Sequence, residues 1–281
     1  MSRQTTQKIA FATLTILAII VVLPIVLVVV YIVVQGIEAI SWEFITGFPH
    51  GGMREGGILP AVIGTVLLTF GTAIVAIPLG VGAAIYLAEY ARDNWLTRAI
   101  RLAIINLAGI PSVVYGLFGL GMFVLFLKFG ASIVAGSLTL GLMTLPVVIS
   151  TAEEAILAVP QSFRVVSISL GGTRWQTIRE VVLPQSLPGI ITGVILGLER
   201  AAGETAPILF TVAAFYLPHL PRSIFDQTMA LPYHLYVIST QVPGMSVRIQ
   251  YGTALVLLAL VLSMNVVATI IRSYFRQKRQ W

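Results

Sequence analysis

From Ile9 to Val34 the chain runs through 26 residues without one Asp, Glu, Lys or Arg. A bilayer core is crossed by about 20 apolar residues in a helix, and backbone groups in hydrocarbon must bond one another, which leaves helices and closed barrels as spanning structures. Four more uncharged stretches follow, Ile58 to Ala88, Leu102 to Leu127, Phe129 to Ala152 and Ile249 to Ile271. Another, Val181 to Pro221, is interrupted by Glu199, Arg200 and Glu204. These six predict an all-α integral membrane protein with six transmembrane helices. Residues 1–57 read as an anchor helix and first outer loop, and 58–281 as the membrane core. The first stretch is too long for a signal peptide, whose apolar region runs about 7 to 15 residues, so it is expected to remain attached. Only 10% of the 281 residues are charged, against about 25% in soluble chains.

Lys and Arg are retained on the cytoplasmic side of membrane proteins. With the N-terminus inside, the inner segments carry Arg3, Lys8, Arg92, Arg98, Arg101, Arg164, Arg174, Arg179, Arg272, Arg276, Lys278 and Arg279. The outer ones carry Arg54, Lys128, Arg222 and Arg248, a ratio of twelve to four. Both termini are therefore expected in the cytoplasm. The net charge of +6 is explained by insertion, and no basic stripe with interleaved aromatics suggests nucleic acid. Two long outer segments, Gln35 to Gly57 and Leu217 to Arg248, hold Trp42, Phe44, Phe48, Tyr233 and Tyr236. With Tyr216 just before the second, these aromatics are expected to anchor at headgroup level.

Much chemistry is excluded. The lysines Lys8, Lys128 and Lys278 precede Ile, Phe and Arg, so no phosphate-cradling loop ending in Lys-Ser or Lys-Thr exists. The chain is not expected to be an enzyme. His50, His219 and His234 fall in outer segments at no metal-ligand spacing, and with no cysteine thiolate sites are absent. No metal site is expected.

Two segments carry the remaining information. The inner loop, residues 151–187, holds a helix-length piece between Pro160 and Gly171, with Phe163, Val166 and Leu170 at spacings of three and four. That spacing makes an apolar stripe, and Gly171 and Gly172 suit its end. Such a helix fits either a groove in a partner or the headgroup plane. In the fifth span, Arg200 and Glu204 are four apart and share a face, while Glu199 points elsewhere. Charge at mid-bilayer costs at least about 2.5 kcal/mol, so these residues should face a bundle interior or a water-filled path. Gly203 and Pro207 weaken the helix at that level.

The loop reads Gly171, nine residues, Val181, one residue, Leu183-Pro184. This resembles the cytoplasmic motif of bacterial ABC importer permeases, Glu-Ala-Ala, three residues, Gly, nine residues, Ile, one residue, Leu-Pro. The opening triad here is Val165-Val166-Ser167, without the Glu. Arg200-Ala-Ala-Gly-Glu-Thr-Ala-Pro207 is similar to the fifth helix of phosphate-specific permeases of the PstA type. The run from Ala108-Gly109-Ile110-Pro111-Ser112 through Tyr115-Gly116 to Gly119 is similar to their third helix. Ser150 stands where many members carry a basic residue, and Glu199 where they carry a small or apolar one.

The resemblance implies a type I ABC importer permease (MetI-like) fold that moves inorganic phosphate across the cytoplasmic membrane. Its coupling helix, about 162–174, would dock on a separate ATPase through Phe163, Arg164, Val166, Ser167, Leu170, Gly171, Gly172 and Arg174. Implied partners are a second homologous permease subunit, an ATPase dimer, an extracytoplasmic phosphate-binding protein and membrane lipid. No cofactor is implied for this chain, since ATP and Mg would sit on the ATPase. On chemical grounds Arg200 suits a tetrahedral oxyanion, Glu204 competes for it, and Ser112 and Tyr115 are neutral donors. A permease for molybdate, sulfate or phosphonate remains an alternative. So do a stand-alone secondary transporter or channel and a membrane scaffold.

Overall fold

A computed structural model describes residues 3–277 as an almost wholly helical molecule. Lys278 and Arg279, and the side chains of Arg3 and Arg276, lie outside the described residues. Five helical stretches are long and apolar enough to cross a membrane: Ala10–Ala39, Leu59–Tyr90, Ile133–Leu157, Arg174–Gly203 and Val247–Tyr274. The third of the six expected spans is instead a pair, Trp95–Ala108 and Ser112–Phe126, bent by 102°.

Helix α1 (Arg3–Gly36) is apolar on all sides, and its most hydrophobic window has no buried residue. Two contacts with the last helix lie at or just beyond the C-terminal end of α1. There the Tyr31 and Tyr251 rings stand edge to face at 5.4 Å, and Arg248 Nη2 lies 3.0 Å from Glu38. Helix α2 (Trp42–Thr46), whose first turn is capped by Ser41, leads through the two-residue strands β1 (Pro49–His50) and β2 (Glu55–Gly56) into α3 (Leu59–Ile85). Helix α3 ends in a π-turn over Tyr86–Tyr90. Asn94 caps α4 (Trp95–Ala108) by accepting the Thr97 N–H. The chain then turns through Gly109-Ile110-Pro111 into α5 (Ser112–Gly119), which continues as π-helix to Phe126. Proline cannot donate to the preceding turn and biases its predecessor away from helix, which places the bend at Pro111.

Helix α6 (Ile133–Leu157) packs closely along α3. A Cβ at Gly71 would meet Ser137 Oγ at 2.2 Å, one at Gly80 would meet Val148 Cγ1 at 2.6 Å, and one at Gly141 would meet Val75 Cγ1 at 2.8 Å. Small residues at helix crossings are how spans approach one another where no hydrophobic force drives them together. The first N–H groups of α6 have no intrahelical partner. Here the Ile133 and Val134 N–H groups donate to the carbonyls of Asp226 and Ile224, and Ser132 accepts the Ala135 N–H.

The basic loop contains α7 (Gln161–Ser169) and α8 (Arg174–Thr177), the latter closed by a Thr173–Gln176 capping box. A π-turn leads into α9 (Leu183–Gly203). The inner loop is shorter than expected, because α6 continues to Leu157. The fifth span ends at Gly203 instead of running on to Pro221. Beyond it the chain forms the short helix α10 (Ala206–Thr211), an irregular segment, and α11 (Leu231–Thr240), before α12 (Val247–Gln277).

The outer segments are not merely loops with anchoring aromatics. Phe44 and Tyr233 belong to the main core with Met229, Leu231 and Ile238, so for those two the headgroup reading fails. Trp42, 82% exposed, fits it. His234, expected to be a loop histidine, is buried in α11, and burial pushes its imidazole down to about 4. It is therefore neutral at physiological pH. A smaller core of Ala84, Ala152, Ile156, Val159, Val182 and Ile190 joins α3, α6 and α9 at the basic face.

Candidate functional site

Most polar side chains in the spans satisfy themselves. The hydroxyls of Thr69, Thr139 and Thr192 donate to carbonyls four residues back, at 2.7 to 2.8 Å, as hydroxyls in apolar helices commonly do. Glu199 and Arg200 near the end of the fifth span, and Glu204 just beyond it, therefore stand out.

Helix α9 stops at Gly203. Glu204 is extended at φ −74° and ψ 139°, and the chain resumes helix at Ala206 with Pro207 in the first turn. Arg200 sits in the last turn of α9, where unpaired carbonyls favour a cation. Its Nε lies 3.4 Å from Glu204 Oε1, with the side chains 39% and 16% exposed. The pair is loose, and the guanidinium is open to whatever lies beside this face. Glu199 points away into a cleft of about 100 Å³ between α9 and α12, lined also by Thr192, Asn265, Thr269 and Arg272.

Helix α5 lies against this break. A Cβ at Gly116 would stand 3.0 Å from Pro207 Cα and 3.1 Å from the Ala206 carbonyl oxygen, so only Gly permits the approach. The Tyr115 hydroxyl donates to the Leu107 carbonyl at 2.9 Å. Its proton thus closes the α4–α5 bend, where the sequence suggested a donor to an anion. Ser112 opens the first turn of α5, half-buried.

On the basic face, Phe163, Val166, Ser167, Leu170, Gly171 and Gly172 line one cleft of about 470 Å³ with Gln176, Glu180 and Val181. Leu170 is 84% exposed. Gly171 adopts φ +87°, with open space where a Cβ would stand, a conformation that suits Gly at a helix end. Ser167 Oγ and Thr177 Oγ1, 2.8 Å apart, tie α7 to α8.

Arg164 and Arg174 do not share this outward face. Arg164 is 9% exposed and bonds Glu89 at 2.7 Å, and Arg174 donates to the Glu89 carbonyl. Sequence reasoning missed Glu89. The available signal was a lone acid at the end of the second apolar stretch, but nothing in the spacing showed which arginines it would meet. Among the described residues, no three of His, Asp and Glu gather as a metal site.

Residues 76–281 match the family described as binding-protein-dependent transport system inner membrane component. The chain is 36% identical over 282 residues to "Probable ABC transporter permease protein YqgI" of Bacillus subtilis, covering 95% of each chain. It is 35% identical to phosphate transport system permease protein PstA 1 of Mycobacterium tuberculosis, over 80% of this chain and 72% of that one. Its fold resembles an inward-facing structure of the MetNI methionine ABC transporter, with a TM-score of 0.64 and 16% identity over 78% of this chain and 95% of that one. In this family ATP is bound by a separate ATPase and the membrane subunit is not catalytic. An all-helical bundle of this topology, together with a match over most of its length, makes the chain a member of the inner-membrane permease components of binding-protein-dependent ABC importers.

Proposed function

We propose that this permease forms one half of the pore of an importer of inorganic phosphate, beside a second homologous subunit. The basic face lies in the cytoplasm, where α7 docks on a separate ATPase dimer, and the opposite face receives phosphate from an extracytoplasmic binding protein. ATP-driven movement of the docking helix switches the path between outward and inward access.

The observation that carries this reading is the open guanidinium of Arg200, held only at 3.4 Å by Glu204 at the break that ends α9. A guanidinium matches a tetrahedral oxyanion, and a path must bind weakly enough to release. Glu204 keeps the site from holding its anion. The relatives named as phosphate permeases support the choice of anion.

In proteoliposomes containing the whole complex, Arg200→Ala is expected to reduce phosphate uptake at least tenfold with subunit assembly intact. Wild-type uptake by that variant would sink the assignment. Stronger inhibition of uptake by molybdate, sulfate or a phosphonate than by unlabelled phosphate would reassign the anion.

A further inference from the structure

Three arginines from three separate segments end on residues 87–90, the last turn of the second span. Arg101, from α4, donates to the Leu87 carbonyl at 3.1 Å and pairs with Glu153 of α6 at 2.7 Å. Arg164, from α7, donates through Nε and Nη2 to Glu89 Oε1 at 3.0 and 2.7 Å. Its guanidinium also donates to the Val159 and Ile156 carbonyls at 2.6 and 2.9 Å. Arg174, from α8, donates to the Glu89 carbonyl and lays its guanidinium over the Tyr90 ring, 4.9 Å from the centroid. The last carbonyls of a helix have no intrahelical donor, so this turn offers both a carboxylate and free carbonyls to the loop that follows α6.

The Glu89 and Arg164 side chains are 9% and 11% exposed. Separating such a pair strands a buried charge, so it stays closed while neighbouring surfaces move. At its other end α3 is held as firmly. A Cβ at Gly64 would meet the Met229 carbonyl oxygen at 1.9 Å, and Thr65 Oγ1 accepts the Leu231 N–H at 2.8 Å. From Thr65 to Glu89 the chain is continuous helix, α3 and its terminal π-turn, about 36 Å long at 1.5 Å per residue.

We propose that Glu89 is a positioning residue that clamps α7 to α3, so that displacement of α7 reaches the 228–231 segment on the opposite face through α3 as a rod. The inference rests on the reading of α7 as the ATPase-docking helix and concerns what happens after docking. Adjacency alone does not establish coupling between distant sites, so the clamp is tested by function and by geometry.

In the reconstituted complex, Glu89→Gln is expected to keep the ATPase bound and its basal hydrolysis intact while uptake falls at least tenfold. Glu89→Asp, which keeps the carboxylate and leaves Arg164 with its carbonyl partners, is expected to retain most of the uptake, which a merely space-filling role would not produce. Uptake at the wild-type rate in Glu89→Gln overturns the clamp. So does an assembled Glu89→Asp complex no more active than Glu89→Gln, or a Glu89→Gln complex that sheds its ATPase, since the residue would then serve docking alone.

A second measurement leaves the ion pair untouched. Spin labels on cysteines at exposed Ser162 and Tyr86, in a chain without other cysteines, should keep one separation in the nucleotide-free and ATP-trapped complexes. A separation that differs between the two states overturns the rigid link. Failure of the docking reading looks different, because the ATPase would then persist on a complex whose α7 surface has been charged.

Discussion

At the scale of single residues, the same side-chain type does opposite work according to what surrounds it. Arg164 and Arg200 carry the same guanidinium, yet Arg164 spends its donors on Glu89 and two carbonyls, whereas Arg200 has one loose partner. The first is structural glue, and the second keeps the open guanidinium on which the proposed anion path relies. Glycines divide in the same way. Gly64 and Gly82 share helix α3, but an added Cβ meets the Met229 carbonyl at the first and nothing within 4 Å at the second. Gly64→Ala should therefore destabilise the protein by about 1–3 kcal/mol, the usual cost of overpacking. Gly82→Ala should leave stability unchanged or raise it by up to about 1 kcal/mol, as helix propensity favours Ala. Thermal unfolding in detergent reads both, and equal midpoints for the two variants would contradict the packing.

Among the elements, α7 is the one whose surface its own fold does not account for. Its buried side is pinned by Arg164, and its other side presents Val165, Val166, Ile168 and Leu170, each more than half exposed. Apolar exposure on a short helix outside the spans marks a contact surface, and the proposed partner is the ATPase. Val165-Val166-Ser167 brings no charge to that proposed contact, which leaves it to rest on apolar packing. Leu170→Asp should consequently release the ATPase on co-purification, and Gly171→Asp should do the same while also straining a residue at φ +87°. Undiminished recovery of the ATPase with both variants would exclude docking at this helix. The α4–α5 pair shows how an element can deviate from its hydropathy. The uncharged stretch reads as one span, but Pro111 and the Tyr115–Leu107 bond fold it by 102° and bring Gly116 onto the start of α10, just beyond the end of the fifth span.

For the whole molecule, the distribution of basic residues sets the proposed orientation. A single cysteine replacing exposed Gln241 should react with an impermeant maleimide in intact cells, and one replacing exposed Ser169 only after permeabilisation. The reverse pattern would invert the topology. The apolar stretches, the weak point at Gly203 and Pro207 and the helix between Pro160 and Gly171 were legible because each depends on local chemistry: apolar length, a weak helix former, a fixed φ; that the third span bends and the fifth ends at Gly203 was not. Composition and the Arg200–Glu204 spacing likewise placed charge inside the fifth span. What sequence could not supply was partnership. Glu89 sits 75 residues from Arg164, Thr65 lies 166 residues from Leu231, and Phe44 and Tyr233 looked like headgroup anchors until the outer segments folded back over the bundle. Hydropathy is a property of each residue in its own window, so the sequence by itself determined that this chain spans a membrane and where its rare charges fall. Which charges neutralise one another and which stay open is a matter of three-dimensional proximity, and only the tertiary structure decided it.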